Sequence, residues 1–159
     1  MADYPLIFRI IHVVRSANFE AIVVADGRAL MAFEDGAWWC HGVDPGALTE
    51  GGPAPVVAFE KFRSAFRHVL DDLAEESGSF EEFQRDAKTF FGTDAIEEAR
   101  WDQALERLPK RGTVEEPFRG MSRMVPRPSA MVVTMLASYA NVPMPSANEA
   151  ESVALALAA

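Results

Sequence analysis

Two Asp-Gly pairs, Asp26-Gly27 and Asp35-Gly36, lie nine residues apart in a stretch rich in β-branched and aromatic residues. Asp-Gly between apolar runs is a strong hairpin signal, because a type I′ turn needs positive φ at both central residues. A further turn is expected at residues 16–18. The strands predicted on this basis are residues 6–15, 19–25, 28–34 and 37–43. The pattern predicts a four-stranded antiparallel meander.

Both faces of this predicted sheet are apolar. Trp38 and Trp39 must fall on opposite faces because side chains alternate along a strand. The third predicted strand divides in the same way, with Leu30 and Ala32 on one face and Ala29, Met31 and Phe33 on the other. We therefore expect a cover on each face. The next helix would cover one, and the C-terminal segment or a second copy of the chain would cover the other.

A Gly/Pro-rich stretch, residues 44–55, is predicted to be a loop that leads into a long helix over residues 55–76. Apolar residues recur along this helix at spacings of three and four, which is typical of an amphipathic helix packed on a sheet. The predicted inward stripe is Val56, Phe59, Phe62, Phe66, Val69, Leu70 and Leu73.

Two further helices are predicted from their start and stop signals. Ser79 and Glu82 form a capping-box pattern for the second helix, which is expected to end at Gly92. Asp94 and Glu97 form a similar pair for a third helix over residues 95–108. The residues expected to face inward on the third helix are Ile96, Ala99, Leu105 and Leu108.

The character of the chain changes at Pro109, where prolines and basic residues become frequent. We expect residues 1–108 to form an α+β domain and residues 109–159 to form an irregular, proline-rich basic arm. Residues 130–140 are interpreted as a strand, with a short helix as the alternative. Residues 147–158 are alanine-rich and predict a short terminal helix.

Charge is unevenly distributed over the chain, whose net charge is −9. Residues 1–108 carry 10 Lys/Arg and 20 Asp/Glu, whereas residues 109–127 carry five basic and two acidic residues. An acidic body disfavours nucleic acid, since binding there is driven by Lys and Arg, and it suits a basic protein partner. The single cysteine, Cys40, and the lack of a signal peptide or a long apolar run indicate a cytoplasmic protein that does not span a membrane.

The side chains with catalytic potential do not form a recognisable set. Cys40 and His41 are adjacent on a predicted strand, so they face opposite ways and are poorly placed to act together. His68 and Asp72 are four residues apart on the long helix, a spacing that can bind a metal ion. The main prediction is therefore no catalytic, metal or cofactor site. The alternative is a small-molecule-binding or metal-dependent hydrolytic site made of His41, His68 and Asp72.

The segment from Trp38 to Glu76 resembles the HicB antitoxin fold family. The resemblance rests on a strand that ends in Pro45-Gly46, on the element Thr49-Glu50-Gly51, and on the helix that follows. It covers about a quarter of the chain. It implies a small sheet with helices, no enzymatic activity, and binding of a toxin or a similar partner. The C-terminal DNA-binding segment that family members often carry has no match here.

Together these features predict a non-catalytic regulatory or protein-interaction domain. The expected partner is a basic toxin or a subunit of a larger complex, with a homodimer as a further expectation. A structural subunit of a larger complex is a second alternative. The residues predicted to contact a partner are Trp39, Pro45, Gly46, Thr49, Glu50, Arg119 and Arg123.

Overall fold

The computed structural model describes residues 3–108, 118, 121 and 128–139. One antiparallel sheet and three helices make up these residues, so the predicted α+β class is confirmed. The elements are β1 (Tyr4–Arg15), β2 (Phe19–Glu34), β3 (Ala37–Asp44), β4 (Thr49–Gly52), α1 (Pro55–Glu76), α2 (Phe80–Phe90), α3 (Ala95–Arg107) and β5 (Ala130–Ser138).

The 16-residue strand β2 organises the sheet because both of its edges are paired. One edge pairs with β1 over residues 20–31 of β2. The other edge pairs with β5 over residues 19–26 and with β3 over residues 28–34. Gly27 is therefore the point at which this edge changes partner. The strand order β1-β2-β3-β4 confirms the meander, and β5 is added beside the first half of β2.

The turn predicted at Asp26-Gly27 is wrong, because β2 continues through both residues. The Asp26 carboxylate accepts two hydrogen bonds of 2.7 Å from Arg9, its partner on β1. At Gly27 a Cβ atom would collide with the ring of Phe8 and the carbonyl oxygen of Asp44. Both residues thus serve contacts across the sheet, and these override the local turn preference.

The fourth strand also differs from its prediction. It is β4, which lies inside the stretch 44–55 that was predicted to be a loop, and it pairs with β3. The two predicted strands 19–25 and 28–34 form one strand, β2. The meander still has four strands because β4 is the fourth.

Several local signals are confirmed. Asp35 and Gly36 have φ values of 50° and 80°, as a type I′ turn requires. The Ser79 hydroxyl accepts a hydrogen bond from the Glu82 backbone N–H, which caps α2. The Asp94 carboxylate caps α3 by accepting from the backbone N–H groups of Ile96 and Glu97.

The main core lies between one face of the sheet and the helices α1 and α2. Phe62 and Phe66 of α1 place ring edges on Phe8, with centroids 5.3 and 6.3 Å apart. Phe83 of α2 stacks on Phe19 with centroids 5.4 Å apart. Burying each such ring contributes about 1.5–3 kcal/mol. Most of the predicted α1 stripe is inward, but Val56 is exposed because Pro55 and Ala58 face the sheet in the first turn.

Helix α3 packs on the opposite face of the sheet. Trp101 and Ala104 contact Leu30 and Val43 there, with Ile7 beside them. The inward positions predicted for Ile96, Ala99 and Leu105 are wrong, since all three are exposed, and Leu108 is half-buried. The Trp101 indole donates a hydrogen bond of 3.2 Å to the Leu6 carbonyl, and this contact turns Trp101 toward the sheet.

The predicted strand at 130–140 is confirmed as β5. Most of the predicted basic arm, 109–127, and the predicted terminal helix, 147–158, lie outside the described residues. Within the arm, Phe118 is buried and stacks on Tyr4 with ring centroids 4.0 Å apart, and Met121 is buried in the same core.

Candidate functional site

The residues predicted to contact a partner do not form one surface. Trp39 and Thr49 lie on the side of the sheet that carries α3. The Trp39 ring stacks on His41, with centroids 6.5 Å apart, and Thr49 Oγ1 lies 3.4 Å from His41 Nδ1. Glu50 pairs across the sheet with the buried Cys40, so it lies on the other face.

Pro45 and Gly46 are packed rather than presented. Pro45 is buried, and the Gly46 backbone N–H donates a hydrogen bond of 2.9 Å to the Gly92 carbonyl. A Cβ atom at Gly46 would collide with Asp94. Arg119 and Arg123 lie outside the described residues.

The alternative site of His41, His68 and Asp72 does not come together. His41 lies on the α3 side of the sheet, whereas His68 and Asp72 are exposed on α1, which packs on the other side. The described part of the chain contains no group of three His, Cys, Asp or Glu side chains placed to hold a metal ion. His68 and Asp72 are therefore separated from His41 by the sheet.

Cys40 lies in the main core and is fully buried. Burial, followed by the nearby charge of Glu50, raises the pKa of its thiol far above the usual value. The reactive form of cysteine is the thiolate, so Cys40 is held in its unreactive form.

A buried polar junction missed by sequence reasoning is centred on Asp44, at the end of β3. Its side chain is 1% exposed and accepts from Arg28 (2.7 and 3.2 Å), from Thr93 (2.5 Å) and from Ser129 (2.5 Å). Arg28 also donates to Glu98 at 2.8 Å. The junction thus connects β2, β3, the α2–α3 connection, α3 and the start of β5.

The hydrogen bonds of this junction keep the Asp44 carboxylate ionised. Burial alone would raise the pKa of Asp44, but hydrogen bonds from Arg28, Ser129 and Thr93 outweigh it and hold the pKa below its usual value. The guanidinium of Arg28 lies 5.4 Å from the ring centroid of Trp101, close enough for a cation–π contact. A carboxylate with such partners is a weak base, so its clear role is to fix the sheet against α3.

The half of the outer sheet face that α3 leaves uncovered is apolar. We call the side chains of Ile11, Val13, Ile22, Val24 and Val132 the open face. Cross-strand pairing aligns Ile11 with Val24 and Val24 with Val132, and it aligns Val13 with Ile22. Ile11 is 56% exposed, Val13 39% and Val132 58%, while Ile22 and Val24 are half-buried between them.

Ion pairs bound the open face at both ends. The Arg9–Asp26 pair, at 2.7 Å, lies one row before Ile11, and the Arg15–Glu20 pair, at 3.4 Å, lies one row after Val13. Apolar side chains surrounded by polar ones are the usual arrangement of a protein-binding surface.

The open face borders an acidic surface. A cleft beside Val13 is lined by His12, Arg15, Asp71 and Glu75, and His12 Nε2 lies 2.7 Å from the Asp71 carboxylate. Asp71 and Glu75 belong to the acidic end of α1, which we define as Asp71, Asp72, Glu75 and Glu76, all exposed.

Sequence reasoning indicated that the second face of the sheet is apolar, but not which part stays uncovered. The alternation of Ile11, Val13, Ile22 and Val24 with buried residues carried the signal.

Comparison of the chain with protein-family models, with curated proteins and with solved structures gives no match. Among the described residues, no helix is both long and apolar enough to cross a membrane.

Proposed function

We propose that this chain is a non-catalytic protein-interaction domain that binds a partner protein through the open face. The observation that supports the proposal most is the apolar row Ile11–Val24–Val132, whose two outer members are more than half exposed, with ion pairs at its border. Scattered exposed apolar residues are normal on protein surfaces, but contiguous ones on a rigid sheet often mark a binding surface.

The chemistry around the open face favours a basic partner. Asp71 and Glu75, of the acidic end of α1, line the cleft beside Val13, and residues 1–108 carry twice as many acidic as basic residues. A partner with an apolar centre and a basic rim would bury the open face and meet the carboxylates at its border. The resemblance to HicB antitoxins led to the same expectation, a basic toxin, which forms part of this proposal.

The non-catalytic part of the proposal is supported by the way polar groups are used. Asp44 is saturated by donors, and the Cys40 thiol is buried with a raised pKa. The Glu34 carboxylate accepts from Arg100 at 2.8 Å, and this hydrogen bond lowers its pKa. These groups stabilise the fold in the arrangement described.

The test compares two Ile→Lys variants of the tagged full chain in its native host. Ile11→Lys places a charge in the open face, whereas Ile96→Lys makes the same change at an isoleucine of α3 that is 74% exposed and outside it. We expect a basic protein to co-purify with the wild type and with Ile96→Lys, at levels reduced at least tenfold with Ile11→Lys. Circular dichroism would confirm that both variants fold.

The proposal fails if the two variants retain the same proteins, or if the wild type retains none above an unrelated tagged protein. The identity of the partner separates the two expected classes. One small basic protein indicates a toxin-like partner, and one complex of many subunits indicates a structural role.

A further inference from the structure

The described sheet has three strands with an unpaired edge, β1, β4 and β5. Proteins protect such edges with charged residues, proline or short length, because an unpaired edge can pair with another chain. Strand β1 contains Pro5, Arg9, His12 and Arg15. Strand β4 has four residues, one of them Glu50. Both of these edges therefore carry the usual protection.

Strand β5 differs, because its nine residues, AMVVTMLAS, contain no charged residue and no proline. Its one strand partner among the described residues is β2, so no strand lies beside its second edge there, although the Gln84 side chain of α2 donates a hydrogen bond of 3.4 Å to the Val133 carbonyl. Val132, Met135 and Leu136 are between 46% and 58% exposed. An apolar edge strand of this length is the feature that native sheets normally avoid.

We propose that the free edge of β5 pairs antiparallel with β5 of a second copy of this chain, about a two-fold axis at Thr134. This register places Thr134 opposite its own counterpart and Val132 opposite Leu136 of the other copy. Val133 likewise faces Met135. Every pair between positions 131 and 137 is then apolar or Thr–Thr, and such pairs stabilise antiparallel sheets.

A second copy fits this edge better than an unrelated strand. It supplies a strand of the same length in the antiparallel direction by symmetry alone. Each chain carries a net charge of −9, so two copies repel each other over most of their surfaces. The uncharged edge of β5 is where that repulsion opposes contact least.

Pairing through β5 would also join the two open faces. One open face spans three strands and about three residues along them, roughly 14 by 10 Å, or about 140 Å². This is well below the roughly 800 Å² that each partner buries in a stable interface. Two faces joined side by side double the surface. The dimer would form whether or not the open face binds another protein, because the edge and the face are different surfaces.

The test measures mass by light scattering and sedimentation of the full chain at about 1–200 µM, a range suited to a small interface. We expect the wild type to approach twice its 17.5 kDa chain mass. Thr134→Lys and Thr134→Glu should each weaken the dimer at least tenfold, because like charges then lie directly opposite each other. An equal mixture of the two variants should dimerise again, because the opposed charges then attract.

Ile11→Lys is the matched control, since Ile11 is as exposed as Val132 and lies in the same cross-strand row, but on β1. It should leave the dimer intact, even if it removes binding of another protein. A wild type that stays at 17.5 kDa throughout overturns the proposal. A dimer that is lost with Ile11→Lys but kept with Thr134→Lys also overturns the proposal, because the two copies would then pack through their open faces and not through β5. A Lys/Glu mixture that stays monomeric overturns the register about Thr134.

Discussion

Replacing Asp44 with alanine should cause a large loss of stability. The change removes the acceptor of two hydrogen bonds from Arg28 and of one each from Thr93 and Ser129. Arg28, whose side chain is 18% exposed, then keeps its cation close to the vacated site. Removing one partner of a buried ion pair costs about 3–5 kcal/mol, which is a large part of the 5–15 kcal/mol typical of a domain.

The assay is urea unfolding followed by tryptophan fluorescence. With a denaturant dependence of about 1–3 kcal/mol per molar urea, a loss of this size lowers the midpoint by roughly 2 M. Asp26→Ala is the matched control, because Asp26 also accepts two hydrogen bonds from one arginine, Arg9, at 2.7 Å, but lies nearer the surface. Its midpoint should fall much less. Equal shifts for the two variants would show that the buried position of Asp44 adds nothing to stability.

A double-mutant cycle isolates the ion pair itself. Arg28→Met removes the cation and keeps much of the side-chain volume. If each single loss arises largely because the other charge loses its buried partner, the double variant should be more stable than their sum predicts by roughly 2 kcal/mol. Additive losses would show that Arg28 and Asp44 act independently.

Gly27→Ala should lower the free energy of unfolding in urea by about 1–3 kcal/mol, because the added Cβ meets the Phe8 ring and a backbone carbonyl. Gly36→Ala is the control, since its Cβ meets open space and only the positive φ is strained. A Gly27→Ala variant as stable as wild type would show that the sheet is not closely packed at this point of β2. The pKa of Asp44 is lower in the folded chain than in the unfolded chain, so its contribution to stability is present above about pH 4 and is lost as pH falls through the folded pKa. The difference in unfolding free energy between wild type and Asp44→Asn should therefore shrink on acidification, and a constant difference from pH 2.5 to 7 would count against this. Cys40 should react with a thiol reagent at least about 100-fold faster in urea than in buffer, because burial raises its pKa; similar rates would place the thiol near the surface.

Local sequence signals predicted the elements whose ends are decided locally. The caps at Ser79 and Asp94 depend on residues three apart, and the turn at Asp35-Gly36 depends on two residues. The same dipeptide at Asp26-Gly27 does not form the predicted turn, because its surroundings differ. Arg9 lies across the sheet from Asp26, so the carboxylate is used there, and such a contact becomes visible only once strands are paired.

Helix α3 shows a second limit. Apolar periodicity placed Ile96 and Leu105 inward, but the helix is rotated so that Trp101 reaches the Leu6 carbonyl and Glu98 reaches Arg28. Carboxylates on the sheet-facing side conceal a buried stripe from any rule that counts apolar residues.

The sequence predicted that the candidate binding surface is an apolar sheet face, but it did not predict which part of the sheet forms it. An apolar second face was expected from the strand pattern. Its uncovered part depends on where α3 packs and on the insertion of β5 beside the first half of β2. Both depend on contacts between residues far apart in the chain, such as Arg28 with Glu98 and Asp44 with Ser129.

The open face is the surface through which we propose that this chain binds another protein. Photo-crosslinking in living cells of the native host tests this, with a photoreactive amino acid at position 11 or at position 96. Both positions are exposed isoleucines in the wild type, and position 11 alone lies in the open face. We predict a discrete adduct of higher mass from position 11 and none from position 96. Adducts from position 96 with none from position 11 would contradict the claim.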